Sequence, residues 1–497
     1  MMLKLPPEYK NILKEVYTFA KARRVKLTLV GGILRDLLLG RKKENPDFDF
    51  VIKKGAIGFG RNLAKKLRAG YVVLDKEHGA CRVVKKNNGK IYTFDFTDFR
   101  KATLEKDLLH RDFTINALAL EFEKVFTPAP LQKATPVKVR GFSDGDLSFS
   151  LIDPYSGQKD LKERIIRVVS RKSFCEDPLR VLRAFSLSSI FGFTLDKETL
   201  RLAKKERDKL TGVSFERIRD ELFKVFSSQN AHGCFVKLDK LGILKIIFPE
   251  IKKMRGIGQG PYHHLDVWQH TLEAIFQLEL LIQETKNNKQ IQDFLNETIS
   301  SDRKRKALLK LGAFLHDIGK PAALRREKGK TIFHGHERIG MRMAEEICKR
   351  LKLSNDEAGS LKTIVLWHLR PGYMADLEKL TPRAKFRYFR DTGREAVSVL
   401  LLSLADQRAT KGPLTTRKSR IRHERIVFAL IREFFLREKE KKAPRLINGD
   451  CLIKEFQLEP SALIGKILSE VEELQAIGKI KTKNEALRIA AKLIGMK

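Results

Sequence analysis

Cysteine is scarce in this chain. Cys81, Cys175, Cys234, Cys348 and Cys451 are scattered over 497 positions, an odd number with no metal-ligand spacing. That excludes a disulfide framework and suits free thiols in a reducing compartment. Long hydrophobic runs are also missing. The longest largely apolar stretch, 396–405, is about half of a bilayer span, and the opening Met1-Met2-Leu3-Lys4-Leu5-Pro6-Pro7 lacks the apolar core of a signal peptide. A cytoplasmic protein with no membrane association is expected. The third deficit is in acidic side chains: 61 Asp and Glu stand against 99 Lys and Arg, a formal net charge of +38. The excess does not belong to one tail, because 1–150, 151–250, 251–420 and 421–497 are each net positive. A polyanion large enough to touch several regions fits this distribution, with nucleic acid first and an acidic membrane surface second. Hydrophobic residues at 42% and charges mixed in sign exclude global disorder, and the length suggests three or four domains.

Residues 1–125 read as mixed α/β. A helical N-terminal stretch leads to a β-branched run at 26–30, a Gly31-Gly32 break, a helix over 33–39 and strands near 48–52, 71–74, 81–85 and 91–99. From about residue 160 the period changes to 3.6, with amphipathic helices over 178–191, 199–210 and 215–226. The Pro- and Gly-containing segment 127–150 reads as an irregular insertion. The polar 285–306 stretch, with Arg303-Lys304-Arg305-Lys306, reads as a loop or exposed helix end.

Gly31-Gly32-x-x-Arg35-Asp36, followed by Asp47-Phe48-Asp49, is the first pattern with chemical content. Residues i and i+2 of a strand face the same way, so Asp47 and Asp49 converge on one cation. Two such carboxylates suit Mg²⁺, a hard ion that bridges protein and nucleotide phosphates. Asp95, on the polar side of Tyr92-Thr93-Phe94-Asp95-Phe96-Thr97, is a third candidate. Three acids around two metal ions would serve in-line attack of a hydroxyl on an α-phosphate. The glycine pair would let backbone N–H groups approach a triphosphate.

With these residues the chain resembles the bacterial-type tRNA nucleotidyltransferase and poly(A) polymerase family, and further segments agree. Leu109-His110-Arg111-Asp112-Phe113-Thr114-Ile115-Asn116-Ala117 is similar to the family's Arg-Arg-Asp-Phe-Thr-Ile-Asn-Ala segment, with His110 in place of the first Arg. Ile152-Asp153-Pro154-x-x-Gly157-x-x-Asp160-Leu161, Glu176-Asp177-Pro178-Leu179-Arg180 and Ser214-Phe215-Glu216-Arg217-Ile218 resemble the segments that follow. The resemblance implies that Asp177 and Arg180 select the base, that Gly32, Arg35, Arg111 and Arg183 meet the triphosphate, and that Asp112 and Asn116 serve the sugar or order their loop. Chemistry supports the first of these. Asp177 and Arg180 are expected one helical turn apart on the same face. A carboxylate then accepts from the exocyclic amine of C or A, and a guanidinium donates to the adjacent ring acceptor; G and U present an N–H there. Base choice would need no nucleic-acid template. Residues 99–108 occupy the place of the flexible loop of CCA- and A-adding relatives.

Seven of the eleven histidines fall between 263 and 368. His270, His316-Asp317 with Gly319-Lys320, His336, His368 and Asp406 resemble the HD phosphohydrolase superfamily. Imidazole with carboxylate favours a transition metal, Ni²⁺, Mn²⁺, Fe or Zn²⁺, over Mg²⁺. His270, His316, Asp317 and Asp406 form the minimal set, His336 and His368 would complete a second position, Lys320 would neutralise a phosphate, and His334 reads as structural. Metal-assisted phosphoester hydrolysis on an RNA end is the implied chemistry.

The expected architecture is an α/β nucleotidyltransferase head with a mixed sheet (1–150), an all-α neck (151–250), an HD domain (251–420) and a helical tRNA-binding tail (421–497), in which Asn448-Gly449-Asp450 through Leu468 is similar to the family's tail. The expected function is CCA addition to tRNA from CTP and ATP. A poly(A) polymerase, a CC-only or A-only enzyme, an HD phosphohydrolase with a non-catalytic RNA-binding head, and an RNA-binding protein with both sites inactive are the alternatives.

Overall fold

The computed structural model describes residues 3–87, 89–126, 137–140, 146–149, 151–440 and 444–495. It divides into two compact units, Met1–Val213 with Leu241–Ile243, and Ser214–Lys240 with Leu244–Lys497.

The first unit is built on a six-stranded sheet ordered Gly70–Asp75, Ala80–Asn87, Lys90–Asp98, Asp47–Ile52, Thr28–Val30, Ala119–Glu121. Only the central pair, Asp47–Ile52 with Lys90–Asp98, is parallel, and the other four pairings are antiparallel. Strand periodicity separates the faces. Phe48, Phe50, Phe94 and Phe96 are buried on one face, with Phe48 stacked on Phe94 and Phe50 on Phe96. Helices Lys10–Ala22 and Ala56–Leu67 cover it: Phe19 and Phe59 meet edge-on, and Phe59 meets Phe96. Asp47, Asp49 and Asp95 lie on the other face. The mixed sheet expected from the sequence is present, with Ala119–Glu121 as an additional strand. The 127–150 segment holds two strands, Val137–Arg140 and Asp146–Phe149, paired antiparallel, and Leu3–Lys4 adds to them in parallel; its remaining residues lie outside the described ones.

The second unit is helical. Ala396–Ala409 is buried on nearly every side and packs with Val267–Glu284, Asn355–Trp367 and Arg417–Arg437, so the longest apolar stretch of the sequence is a central core helix. No helix among the described residues is long and apolar enough to cross a membrane. The basic 303–306 run is expected in a loop or exposed helix end; Arg305 does open a helix, but buried and paired. Arg303 makes a bidentate pair with Glu357 (2.5 and 2.9 Å), and Arg305, 5% exposed, pairs with Glu395 and Glu297 at the start of helix Arg305–Leu315. Glu357 is the N3 residue of a capping box on Asn355–Trp367, so the arginine also fixes a helix start. The C-terminal helices Gly449–Phe456, Ala462–Ala476 and Lys483–Ile494 share a small core around Leu452, Ile467 and Ala490. Arg383 and Arg387 tie that group to helix Pro382–Thr392 through Glu473.

Candidate active sites

The parallel register sets Asp49 directly opposite Asp95, with Asp47 two residues earlier on the same face. Gly31 stands beside them with φ +81°, and a Cβ there would lie 2.7 Å from an Arg111 guanidinium nitrogen and 3.0 Å from Asp49 Oδ2. Both the left-handed backbone and the close approach require glycine. Burial raises the Asp49 carboxyl above its ordinary pKa; Arg111 opposes the rise, while Asp95 and Asp47 add to it. Lys43 lies 3.5 Å from Asp47 and 3.7 Å from Asp36, and Arg82 grips Asp95 with two bonds of 2.8 Å. Arg111 Nε is buried without a hydrogen-bond partner. The three carboxylates share one face of the sheet, with the charge on Asp49 opposed chiefly by burial, and oxygen donors of this kind suit a hard dication.

A second set of polar groups links this face to the helix Arg180–Phe191. Arg35, 6% exposed, donates to Asp36 at 3.0 and 2.9 Å and to Asn116 Oδ1 at 2.5 Å. Asn116 Nδ2 donates to Asp112 Oδ1 at 2.9 Å, and Arg183 Nε donates to Asp112 Oδ2 at 2.5 Å. Burial opposes charge on Asp112, yet Arg183, Asn116 and the Phe113 N–H hold its carboxyl below the ordinary carboxylate range. In this structure Arg35, Asp112 and Asn116 order the loop, and the guanidinium of Arg35 is engaged with Asp36 and Asn116. Gly32 opens the helix Gly32–Leu38, where a Cβ would lie 3.2 Å from Arg35.

The pair Asp177 and Arg180 corrects the sequence expectation of one shared helical face. Asp177 is the extended C-cap of the short helix Ser173–Glu176 (φ −146°, ψ 101°), and the next helix begins at Arg180. Pro178 explains this, since a residue before proline is driven out of the α region. Asp177 Oδ1 accepts the Leu179 N–H at 3.2 Å. Arg180 donates to the His110 carbonyl (2.6 Å) and to Ser173, and lies 3.5 Å from Glu176. The two side chains therefore stand at a helix junction. The 99–108 segment contains the short helix Leu104–Leu108, capped by Thr103, with buried Asp107 accepting the Arg100 N–H at 2.9 Å.

In the second unit the histidines converge. One ligand atom each of His270, His316 and Asp406 lie within 4.8 Å of one another, as do those of Asp317, His336 and His368. Asp317 faces both groups: Oδ2 lies 3.1 Å from His316 Nε2 and 3.6 Å from His270 Nε2, while Oδ1 lies 3.4 Å from His336 and 3.9 Å from His368. Three of the rings are oriented from behind, with Nδ1 of His316, His336 and His368 against the carbonyls of Ala313, Phe333 and Val365 at 2.8, 2.9 and 2.6 Å. A donor bond at Nδ1 leaves Nε2 as a lone-pair ligand. Nε2 of these three rings and Asp317 Oδ1 are buried with no hydrogen-bond partner, which fits a divalent metal. Lys320 donates to Asp317 (2.7 Å) and to Gln259 (2.6 Å). Burial, with His316 and His336 nearby, lowers His368 to about 3, so it is a neutral imidazole at any ordinary pH.

Sequence reasoning missed Lys43, Arg82 and Gln259. Their signal is positional: Arg82 is the cross-strand partner of Asp95, and Lys43 and Gln259 approach from loops.

A mixed sheet bearing paired carboxylates, helices carrying an Asp/Arg junction, and a separate His/Asp centre together define a nucleotidyltransferase head coupled to an HD domain. Comparison with known proteins agrees. The chain matches "Poly A polymerase head domain" over residues 27–167, "Probable RNA and SrmB-binding site of polymerase A" over 192–254 and "HD domain" over 267–411. It is 31% identical over 470 residues to the A-adding tRNA nucleotidyltransferase of Deinococcus radiodurans, covering 92% of this chain and 93% of that protein. It is 28% identical over 469 residues to the CC-adding tRNA nucleotidyltransferase of Synechocystis, covering 94% and 93%. A CCA-adding enzyme solved with ATP shares the fold, with a TM-score of 0.62 at 21% identity over 99% of this chain and 97% of that one. The chain belongs to the bacterial-type tRNA nucleotidyltransferase and poly(A) polymerase family and carries an HD domain. Head and HD domains of these kinds work with divalent metal ions.

Proposed function

We propose that the head adds nucleotides to the 3′ end of tRNA without a nucleic-acid template, using CTP and ATP to build CCA. The register of Asp49 against Asp95, with Asp47 on the same face and Gly31 against Asp49, carries this reading. Asp47 and Asp49 would hold Mg²⁺, with Asp95 completing the carboxylate set. Bound on these acids, the cation would supply charge neutralisation for the triphosphate and would favour ionisation of the attacking 3′ hydroxyl. Arg111 and the backbone at Gly31-Gly32 bind the triphosphate oxygens, and Arg183 adds positive charge while holding Asp112. Asp177 accepts from the exocyclic amine of C or A, and Arg180 donates to the ring acceptor beside it.

The HD centre would hold a transition metal, Ni²⁺, Mn²⁺, Fe or Zn²⁺, on His270, His316, Asp317 and Asp406, with a second position at His336 and His368. Phosphoester hydrolysis on RNA ends is its reaction class, with Lys320 meeting a phosphate. Net positive charge in all four regions supports tRNA held over most of its length by backbone contacts, with the helices after 421 as its tail site.

The deciding assay offers purified protein tRNAs ending at the discriminator base, at C and at CC, with labelled CTP or ATP. Stepwise completion of all three supports CCA addition. Incorporation of A onto the CC-ended tRNA alone replaces it with A-only addition, a reading favoured by the Deinococcus radiodurans relative. Untemplated A runs on arbitrary RNA would make it a poly(A) polymerase.

A further inference from the structure

The carboxylate-bearing face of the head sheet is covered unevenly. At its Thr28–Val30 side, Leu108, Ala117 and Ala119 pack on Val30 and Val51. At the opposite side the edge strand Gly70–Asp75 stays open. Tyr71 turns toward the helix side, donating to the Ile57 carbonyl at 3.1 Å, and the alternation leaves Val72 48% exposed and, at a bulge, Leu74 50% exposed. Val72 pairs in register with Arg82, Arg82 with Asp95, and Asp95 with Asp49. One row across the sheet thus runs from an exposed aliphatic side chain, through a half-exposed guanidinium, to the catalytic acids.

Arg82 is bound to the one acid of the three that lies on its own side, through both carboxylate oxygens of Asp95. A cation on Asp95 would compete with those two bonds. A planar guanidinium released there matches a phosphate diester in the same two-bond geometry. Beyond it, flat aliphatic surface suits a nucleobase face.

Building on the nucleotidyltransferase reading, we infer that this open half of the sheet face seats the 3′-terminal nucleotide of the acceptor RNA. Arg82 takes the phosphodiester on the 5′ side of that nucleotide, its base lies over Val72 and Leu74, and its 3′ hydroxyl is directed at Asp49 and Asp95. The incoming triphosphate uses the other side of the same acids, beside Gly31 and Arg111. Arg82 is a positioning residue for the acceptor, with no contact to the nucleotide being added.

The test is steady-state kinetics on the full-length protein with a CC-ended tRNA minihelix and ATP, comparing Arg82→Gln, Val72→Glu and Val72→Lys. Loss of one charge-assisted phosphate contact is expected to raise KM for the minihelix about tenfold in Arg82→Gln and to lessen the slope of log KM against log salt by about 0.7. Val72→Glu is expected to raise the minihelix KM and Val72→Lys to lower it. The opposed signs exclude a general folding defect, since Val72 is half exposed. KM for ATP is expected to stay within about twofold in all three, because a phosphate contact on the acceptor acts on the acceptor alone. A minihelix KM unchanged in Arg82→Gln and in both Val72 variants, or an ATP KM that moves as much as the minihelix KM, overturns the inference. Wild-type protein that incorporates no nucleotide on any acceptor would instead overturn the nucleotidyltransferase reading itself.

Discussion

The two candidate sites of this chain are arranged in opposite ways. In the head, each acid has a protein cation within reach, Lys43 at Asp47, Arg111 near Asp49 and Arg82 at Asp95, and the face is partly open. In the HD centre four buried ligand atoms, including Asp317 Oδ1, have no partner, and carbonyls behind the rings fix their direction. A carboxylate already paired with lysine or arginine is tolerated without metal, because the pair offsets the cost of burying charge. Orphaned imidazole nitrogens in a dry pocket keep a desolvation cost that only a ligand removes. On the reading proposed above, the head would receive its cation together with a triphosphate, whereas the HD centre would hold a metal at rest.

The largest expected effect separates the two sites outright. Asp49→Asn should reduce nucleotide incorporation on the order of 10³-fold while leaving phosphoesterase activity of the HD centre on a 2′,3′-cyclic nucleotide intact, and Asp317→Asn should do the reverse. Loss of both activities in either variant would merge the sites. Next comes metal binding without substrate. Ni²⁺ or Mn²⁺ at 100 times its dissociation constant should stabilise the second unit by about 2.7 kcal/mol, seen in calorimetry as a raised transition that Asp317→Asn lacks. Mg²⁺ without nucleotide should leave the head transition where it is. A head that gains as much from free Mg²⁺ would erase the contrast. Smaller again is base choice. Asp177→Ala should relax discrimination of ATP and CTP against GTP and UTP by about tenfold or more, the scale of one lost bidentate readout. Unchanged discrimination would remove Asp177 from that role.

Much of this was legible in the sequence, for local reasons. Aromatics at 48, 50, 94 and 96 alternate with acids, which is enough to put Asp47, Asp49 and Asp95 on one face; the HD ligands, of which His270 and Asp406 stand 136 residues apart, are grouped by resemblance to HD phosphohydrolases and not by local pattern. What escaped depends on tertiary register. Nothing near Arg82 in the chain says that Asp95 lies across from it, because that pairing follows from which strands become neighbours. The 303–306 run reads as a loop or exposed helix end since charge density is a local property, whereas two of its partners, Glu357 and Glu395, are more than fifty residues away and only Glu297 is near in the chain. Asp177 is different: Pro178 was in plain view, and the rule that a residue before proline leaves the α region argues against one shared helix face for Asp177 and Arg180.

The smallest expected effect concerns the links that join Asp112 to Arg183 and Asn116. Asp112 has its carboxyl pKa depressed in the folded head, so the stability it contributes is fully present above the unfolded value of about 3.9 and is lost as pH falls from there toward the folded value. Arg183 is 41% exposed, so solvent screens part of that pair, and the charge on Asp112 is worth about 1 kcal/mol. Asp112→Asn should therefore lower the unfolding free energy of the head, read from urea denaturation at pH 7, by that amount, and the gap between variant and wild type should close as pH drops below about 4. The HD centre offers the control, since Asp112 belongs to the other unit and the second unit's transition should not differ between the two proteins at either pH. A gap in the head that persists unchanged at pH 3 would mean that shape alone, and not the charge on Asp112, holds the 112–116 turn against helix Arg180–Phe191.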